Sequence, residues 1–233
     1  MIEVISFDLD GTLADTASEI VAAVNDTLAD FGQPARAHIE IEALIGAGAH
    51  ELMRRLLAQI DADGALDRAT VLRRFEQHYA AHAGTRAQPY PGCADALRSL
   101  RAAGLRLACV TNKEQRHAQR VLEACDLTQH FELLIGGDTL PWKKPDARVL
   151  QHVVAALDST PEQTVHVGDS ATDLAAARNA GVADWAVPWG YNAGTPIARE
   201  RPSHLFDDYA ALTAAALAAR AAPVARASGA STH

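Results

Sequence analysis

Apolar positions recur along this chain in two rhythms. Short apolar runs rich in β-branched residues fall at residues 2–7, Leu105–Thr111, Phe131–Ile135, Thr164–Val167 and Asp184–Val187. Runs of that length predict strands, and their continuous apolar character predicts burial on both faces. Between them, apolar residues recur at helical spacing over about 93–103, 115–126, 146–157, 172–180 and 208–219. Strand and helix in alternation predict the α/β class, a Rossmann-like core with a mainly parallel sheet between helices. In such a sheet ligands gather at the carboxyl ends of the strands.

The alternation is interrupted once. From about Asp15 to Thr85 the apolar pattern is helical throughout: Ile20/Val21/Val24/Leu28 with Phe31, then Leu52/Met53/Leu56/Leu57/Ile60, then Val71/Leu72/Phe75/Tyr79. Turn signals at Phe31-Gly32-Gln33-Pro34 and Asp61-Ala62-Asp63-Gly64 separate these stretches, and Pro89-Tyr90-Pro91-Gly92 marks the return to the core. The division predicted is a catalytic core of residues 1–14 and 86–220, a small all-helical cap of 15–85 inserted after the first strand, and a small, polar, flexible tail of 221–233. The 233 residues are enough for one α/β domain with an insertion of that size.

Charge changes the picture by exclusion. A net charge of −8 argues against nucleic acid or an anionic membrane as partner, though a bound cation can reverse the local sign of one site. No basic and apolar leader opens the sequence, and no run approaches a membrane span, so a cytoplasmic location is expected. Cys93, Cys109 and Cys125 have no ligand-like spacing and read as buried thiols. Of the 21 Lys and Arg residues only three are lysine, at 113, 143 and 144. A lysine that persists in so arginine-rich a chain raises the question of whether a compact ammonium is needed there.

The chemistry lies at the strand ends. Asp8 and Asp10 close the first strand, and residues two apart in an extended chain face the same side. The strand Thr164–Val167 ends in Gly168-Asp169-Ser170-Ala171-Thr172-Asp173, so a parallel sheet delivers both acidic groups to one edge. Carboxylates brought together this way repel unless a cation or a shared proton compensates, and converging oxygens suit a hard ion such as Mg²⁺. Thr111 and Asn112 end another strand with a hydroxyl and an amide. Lys144 precedes Pro145 at a helix start, where a point charge joins helix N-terminal N–H groups; together these make a phosphoryl site.

Phe7-Asp8-Leu9-Asp10-Gly11-Thr12-Leu13, Thr111-Asn112, Lys144-Pro145 and Gly168-Asp169-Ser170-x-x-Asp173 resemble, in order and spacing, the four motifs of the haloacid dehalogenase-like hydrolases. The helical insertion resembles that superfamily's type 1 cap. The resemblance implies a Mg²⁺-dependent phosphatase. Asp8 would attack phosphorus and become an aspartyl phosphate, while Asp10 would protonate the leaving oxygen and then activate water. It also implies metal ligation by Asp8, the Asp10 carbonyl and Asp169, with Asp173 bracing the metal's waters, and phosphoryl binding by Thr111 and Lys144. The superfamily's dehalogenases lack an aspartate at the position of Asp10, which favours phosphoryl chemistry.

The turn Ile45-Gly46-Ala47-Gly48-Ala49-His50 reads either as a plain helix start or as an anion cradle, with His50, Arg54 and Arg55 on the helix borders as candidates for a substrate carboxylate. This turn, Gly136-Gly137-Asp138 and Gly190-Tyr191-Asn192-x-Gly194-x-Pro196-Ile197 resemble bacterial phosphoglycolate phosphatases. The partner so implied is a small phosphorylated metabolite, with 2-phosphoglycolate foremost. Other small phosphates, a phosphomutase of the β-phosphoglucomutase type, and a receiver-like phosphoacceptor or binding module are the alternatives. His78 and His82, four apart on a helix without a third ligand, read as an exposed face. His166 reads as a hydrogen-bonded core residue, and Trp142, Trp185 and Trp189 as packing residues, Trp142 near the cleft mouth. Oligomeric state is not fixed by the sequence.

Overall fold

The computed structural model describes residues 1–61 and 64–221. In chain order its elements are β1 (Val4–Phe7), β2 (Ala14–Asp15), α1 (Ala17–Asp30), α2 (His38–Glu42), α3 (Ala49–Ile60), α4 (Arg68–His82), β3 (Gln88–Pro89), α5 (Cys93–Ala102) and β4 (Arg106–Val110). There follow α6 (Gln115–Ala124), β5 (Leu133–Ile135), α7 (Ala147–Ala156), β6 (Thr164–Gly168), α8 (Ala171–Ala180), β7 (Ala183–Ala186), β8 (His204–Leu205) and α9 (Tyr209–Ala221). Six strands form one sheet in the order β5-β4-β1-β6-β7-β8, and its pairings are parallel. The class and architecture are those the apolar rhythm predicts.

Alternation along the central strands builds two cores. Ile5 and Phe7 of β1, Leu107 and Cys109 of β4, and Val165 and Val167 of β6 face one side, against Leu97 and Leu100 of α5, Val121 and Leu122 of α6 and Leu212 of α9. Val4, Ala108 and Val110 face the other, against Val149, Leu150 and Val153 of α7 and Ala176, Ala177 and Ala180 of α8. Ser6 is the polar exception in β1; its hydroxyl meets the Val165 carbonyl (3.2 Å) and His166 Nδ1 (2.9 Å), so no buried polar group is left unpaired there. His166 is thus the hydrogen-bonded core residue expected.

The helices α1, α3 and α4 share a separate apolar cluster around Leu28, Met53, Leu57, Phe75 and Tyr79. Chain exit and return are tied together by the antiparallel pair β2–β3. Buried Glu19 of α1 adds a second tie: its carboxylate accepts from the N–H groups of Gly84 (3.2 Å), Arg86 (2.7 Å) and Ala87 (2.7 Å) on the returning segment before β3.

The differences from expectation have simple causes. The two-residue strands β2, β3 and β8 are too short to show periodicity, and the five-residue α2 buries only Ile41. The last helix runs to Ala221, while the expected tail from 222 onward and the turn residues 62–63 lie outside the described residues. His78 and His82 are not a free face; they reach Asp30 and Asp26 of α1, each at 2.7 Å. The three cysteines are free and buried. Among the described residues no helix is long and apolar enough to cross a membrane.

Candidate active site

Asp8 follows the last residue of β1, Thr111 that of β4 and Asp169 that of β6, so the parallel sheet brings them to one edge. Carboxylate oxygens of Asp8, Asp169 and Asp173 lie within 4.8 Å of one another, and all three residues are buried. Lys144 stands among them, its Nζ 2.8 Å from Asp8 Oδ1 and 2.6 Å from Asp173 Oδ1. A third contact, to the Val110 carbonyl at 2.7 Å, completes the surroundings of that ammonium. The sequence expectation of a helix N-terminus beside Lys144 is met only in part, because Asp146 caps α7 by accepting from Arg148 N (2.9 Å).

Each aspartate is oriented by its own partners. Asp169 Oδ1 accepts from Thr12 Oγ1 (2.7 Å) and Oδ2 from the Tyr191 N–H (2.8 Å). Two glycines make room for it: a Cβ at Gly190 would stand 2.2 Å from Asp169 Oδ2, and one at Gly11, whose φ is +85°, would stand 2.4 Å away. Asp173 is spoken for on both oxygens, Oδ1 by Lys144 and, at 3.4 Å, His166, and Oδ2 by Ser170 N (3.1 Å) and Ser170 Oγ (2.6 Å). Those bonds leave Asp8 and Asp169 as the carboxylates with capacity to spare.

The charge balance tests whether a cation fits. Three buried carboxylates share one ammonium. Burial pushes the Asp8 carboxyl up to about 7, with Lys144 pulling it down and Asp173 pushing further. Asp169 is driven well above the ordinary carboxylate range by burial and then by Asp173 and Asp8. Asp173 goes the other way: burial raises it, but Lys144 and His166 outweigh burial and hold it low. Asp8 Oδ1 is buried, and the Lys144 ammonium is the one cation beside it among the described residues. A site short of positive charge, lined with hard oxygens, fits a divalent cation.

Asp10 projects into the same cleft. Its Oδ1 accepts from Thr16 Oγ1 (2.6 Å) and from Lys113 Nζ (2.8 Å). Lys113 is fully buried and its Nζ lies 5.0 Å from the ring centroid of Tyr79. Burial alone would discharge it, but Asp10 and Tyr79 override that cost and keep it protonated. Thr111 Oγ1 accepts from Lys113 N (3.2 Å), which leaves its O–H free to donate. Asn112 behaves differently from a simple phosphate donor: its Nδ2 spans the Lys144 carbonyl (3.0 Å) and the Gly46 carbonyl (3.3 Å), fastening the cap turn to the core.

The cleft between sheet edge and cap is lined by Asp8, Asp10, Gly46, Gly48, Thr111 and Lys113, among others. Its interior, measured at the centre of a water-sized sphere, is about 20 Å³, room for roughly one water. Gly46 and Gly48 therefore border the site, both at positive φ (+128° and +94°). His50 does not line the cleft; its Nε2 lies 2.8 Å from Glu76. Arg54 and Arg55 both pair with Glu51 and are exposed, though Arg55 also borders a groove with Gly46, Ala47 and Ser170 beside the cleft. Trp142 stacks under Arg148 at 4.4 Å.

Sequence reasoning missed Thr12, Thr16 and Tyr191 as partners of the acidic groups, and Tyr79 as the ring beside the Lys113 ammonium. Lys113 had a signal, its rarity, but no partner could be assigned from the sequence. Tyr191 lies inside one of the motifs above, yet its hydroxyl reaches Asp15 (2.7 Å) and the Thr16 N–H (2.8 Å) across 176 and 175 residues.

The family model described as haloacid dehalogenase-like hydrolase matches residues 5–187. Phosphoglycolate phosphatase 1 of Pseudomonas aeruginosa is 41% identical over 208 residues, covering 88% of this chain and 76% of that protein. A plasmid-borne phosphoglycolate phosphatase of Cupriavidus necator is 41% identical over 219 residues, covering 94% of each. Among solved structures, a predicted phosphoglycolate phosphatase from Haemophilus somnus superposes with a TM-score of 0.87 at 30% identity, covering 92% of this chain and 97% of that one.

Proposed function

The chain belongs to the haloacid dehalogenase-like hydrolase family, and from that membership we propose a Mg²⁺-dependent phosphatase that converts 2-phosphoglycolate to glycolate and phosphate. The observation that carries the chemistry is the pairing at one sheet edge of two carboxylates with opposite surroundings. Asp8 is unpartnered on Oδ1 apart from its contact with Lys144, whereas Asp10 has Oδ1 held by Thr16 and Lys113. Asp8 is the nucleophile: its oxygen forms a bond to phosphorus as the bond to the substrate oxygen breaks. Asp10 gives that leaving oxygen a proton, then takes one from the water that cleaves the aspartyl phosphate. Because both donors sit on Oδ1, Asp10 exchanges protons through Oδ2.

Lys144 and the Thr111 hydroxyl hold phosphoryl oxygens as charge shifts during transfer. Asp8, Asp169 and the Asp10 carbonyl would hold Mg²⁺, while Asp173 fixes Lys144 and Ser170. When bound, the ion keeps Asp8 ionised and draws charge off the phosphoryl oxygens. The helical segment 15–85 is a cap that moves on the core of 1–14 and 86–220, since a cleft with room for one water cannot admit a substrate without opening. In the cap, Gly46, Gly48 and Arg55 meet the substrate carboxylate.

The names of the relatives support this substrate, and a cap that offers small residues and one cation suits so small a molecule with a carboxylate beside its phosphate. The test is kcat/KM on phosphoglycolate against a panel of sugar phosphates, with Mg²⁺ and with excess chelator. Phosphoglycolate is expected to lead, with activity lost in chelator. A sugar phosphate ahead by about tenfold, or 1.4 kcal/mol at the transition state, overturns the substrate; full activity in chelator overturns the metal.

A further inference from the structure

Outside the catalytic cleft, one cluster among the described residues has the composition of a metal site. We propose that His50, Glu76 and Glu114 bind a transition-metal ion of the zinc class, bridging cap and core beside the cleft. His50 opens α3 and Glu76 lies on α4, both in the cap, while Glu114 is the residue before α6 in the core. One ligand atom from each lies within 4.8 Å of the others. His50 Nε2 is 2.8 Å from Glu76 Oε2 and 3.6 Å from Glu114 Oε1. Nitrogen and oxygen ligands about 2.0–2.2 Å from a tetrahedral Zn²⁺ stand roughly 3.4 Å apart, so these separations bracket the required span.

Two further features distinguish the cluster from a chance surface ion pair. Glu114 Oε2 is buried with no hydrogen-bond partner, and among the described residues no Lys or Arg pairs with Glu114. A carboxylate oxygen so placed lacks a cation. Glu76, in turn, is oriented from behind: its Oε1 accepts from His117 Nε2 (2.8 Å) and from the Arg116 guanidinium. His117 is fully buried, and because a carboxylate oxygen accepts, its Nε2 carries the proton it donates. A ligating carboxylate held by an outer hydrogen bond is the usual construction around metal ligands.

The ligand set also decides which metal. One imidazole with two carboxylates and an open position suits Zn²⁺ or a neighbouring first-row ion, whereas Mg²⁺ prefers oxygen alone. Mg²⁺ at the catalytic aspartates and a second ion at this cluster therefore do not compete. The ion joins elements on both sides of the cleft mouth, because His50 is two residues from Gly48 and Glu114 follows Lys113. Occupancy favours the closed arrangement.

The experiment titrates Zn²⁺ into the full chain in saturating Mg²⁺ against a chromophoric chelator, with thermal melts in parallel. Wild type is expected to bind one equivalent of Zn²⁺ that excess Mg²⁺ does not displace, and its Tm is expected to rise. Asp169→Asn keeps that equivalent. His50→Gln, at a half-exposed position that tolerates change, and Glu114→Gln weaken it by about tenfold or more and lose the Tm shift. Three results overturn the proposal: no Zn²⁺ equivalent in wild type, equal affinity in wild type and both cluster variants, or loss of binding on Asp169→Asn with retention in His50→Gln.

Discussion

Replacing Lys144 by arginine keeps the charge and should still disable the site. The Lys144 Nζ has three oxygens within 2.8 Å, those of Asp8, Asp173 and Val110, and its side chain is 2% exposed. A compact ammonium offers three donors from one point, which matches three convergent acceptors. A guanidinium is a longer planar fork, and its donors cannot converge in the same way. Its extra atoms must be accommodated in a packed interior, at a cost of about 1–3 kcal/mol. The fork also displaces Asp8 or the phosphoryl group, and an error on the order of 1 Å costs roughly 100-fold in rate, or about 2.7 kcal/mol of transition-state stabilisation. The assay is kcat/KM at fixed Mg²⁺ together with thermal melts. Lys143→Arg is the control: Lys143 is exposed and among the described residues reaches only the Ala47 carbonyl, at 3.4 Å, so a change within about twofold is expected. If Lys144→Arg retains wild-type kcat/KM and Tm, the convergent-donor argument is refuted.

Four more outcomes follow from named contacts. Glu19→Ala strands three backbone N–H groups at about 1–3 kcal/mol each, so a loss of ~3 kcal/mol or more and a fall of roughly 6–12 °C in Tm are expected; Glu19→Gln should lose less, and an unchanged melt for Glu19→Ala would contradict the tie. Burial holds His117 below its ordinary value of 6.5, so the folded chain binds fewer protons than the unfolded one just below that pH. Its contribution is present above pH 6.5 and lost as pH falls through the lowered value; wild type should therefore lose Tm on acidification more steeply than His117→Gln, and parallel curves would count against it. In the cap, a Cβ at Gly48 stands 3.0 Å from the Asn112 carbonyl at a φ of +94°, so Gly48→Ala disturbs the core and lowers kcat/KM for phosphoglycolate and a small aryl phosphate alike. Arg55→Ala should lower only the former, by on the order of tenfold, and equal losses would remove Arg55 from substrate recognition.

The core was legible in the sequence because its signals are local. Continuous apolar runs marked β1, β4 and β6, and the aspartate or threonine after each run stands at one sheet edge as expected. The helical cap was legible for the same reason, since α1, α3 and α4 each carry a full apolar stripe. What escaped is non-local or too short to be periodic. The Thr12 hydroxyl and Tyr191 N–H on Asp169 join residues far apart in sequence, and only the fold reveals that Thr16 and Lys113 share one oxygen of Asp10. Among the cap candidates, spacing put His50, Arg54 and Arg55 on helix borders without fixing what they face. His50 turns to Glu76 and Arg54 to Glu51, and both of those carboxylates lie on the cap itself.

Covalent transfer to Asp8 is the claim on which the account rests, and trapping it tests that claim most directly. Asp10→Asn removes the base that would activate water, while an aryl phosphate with a good leaving group needs little protonation to react. Intact-mass analysis of this variant after mixing with such a substrate and Mg²⁺ should show one added phosphoryl group. Peptide mapping should place it on Asp8, and Asp8→Asn in the same background should show none. A phosphoryl group on a serine or threonine, or an adduct that survives Asp8→Asn, would contradict the account.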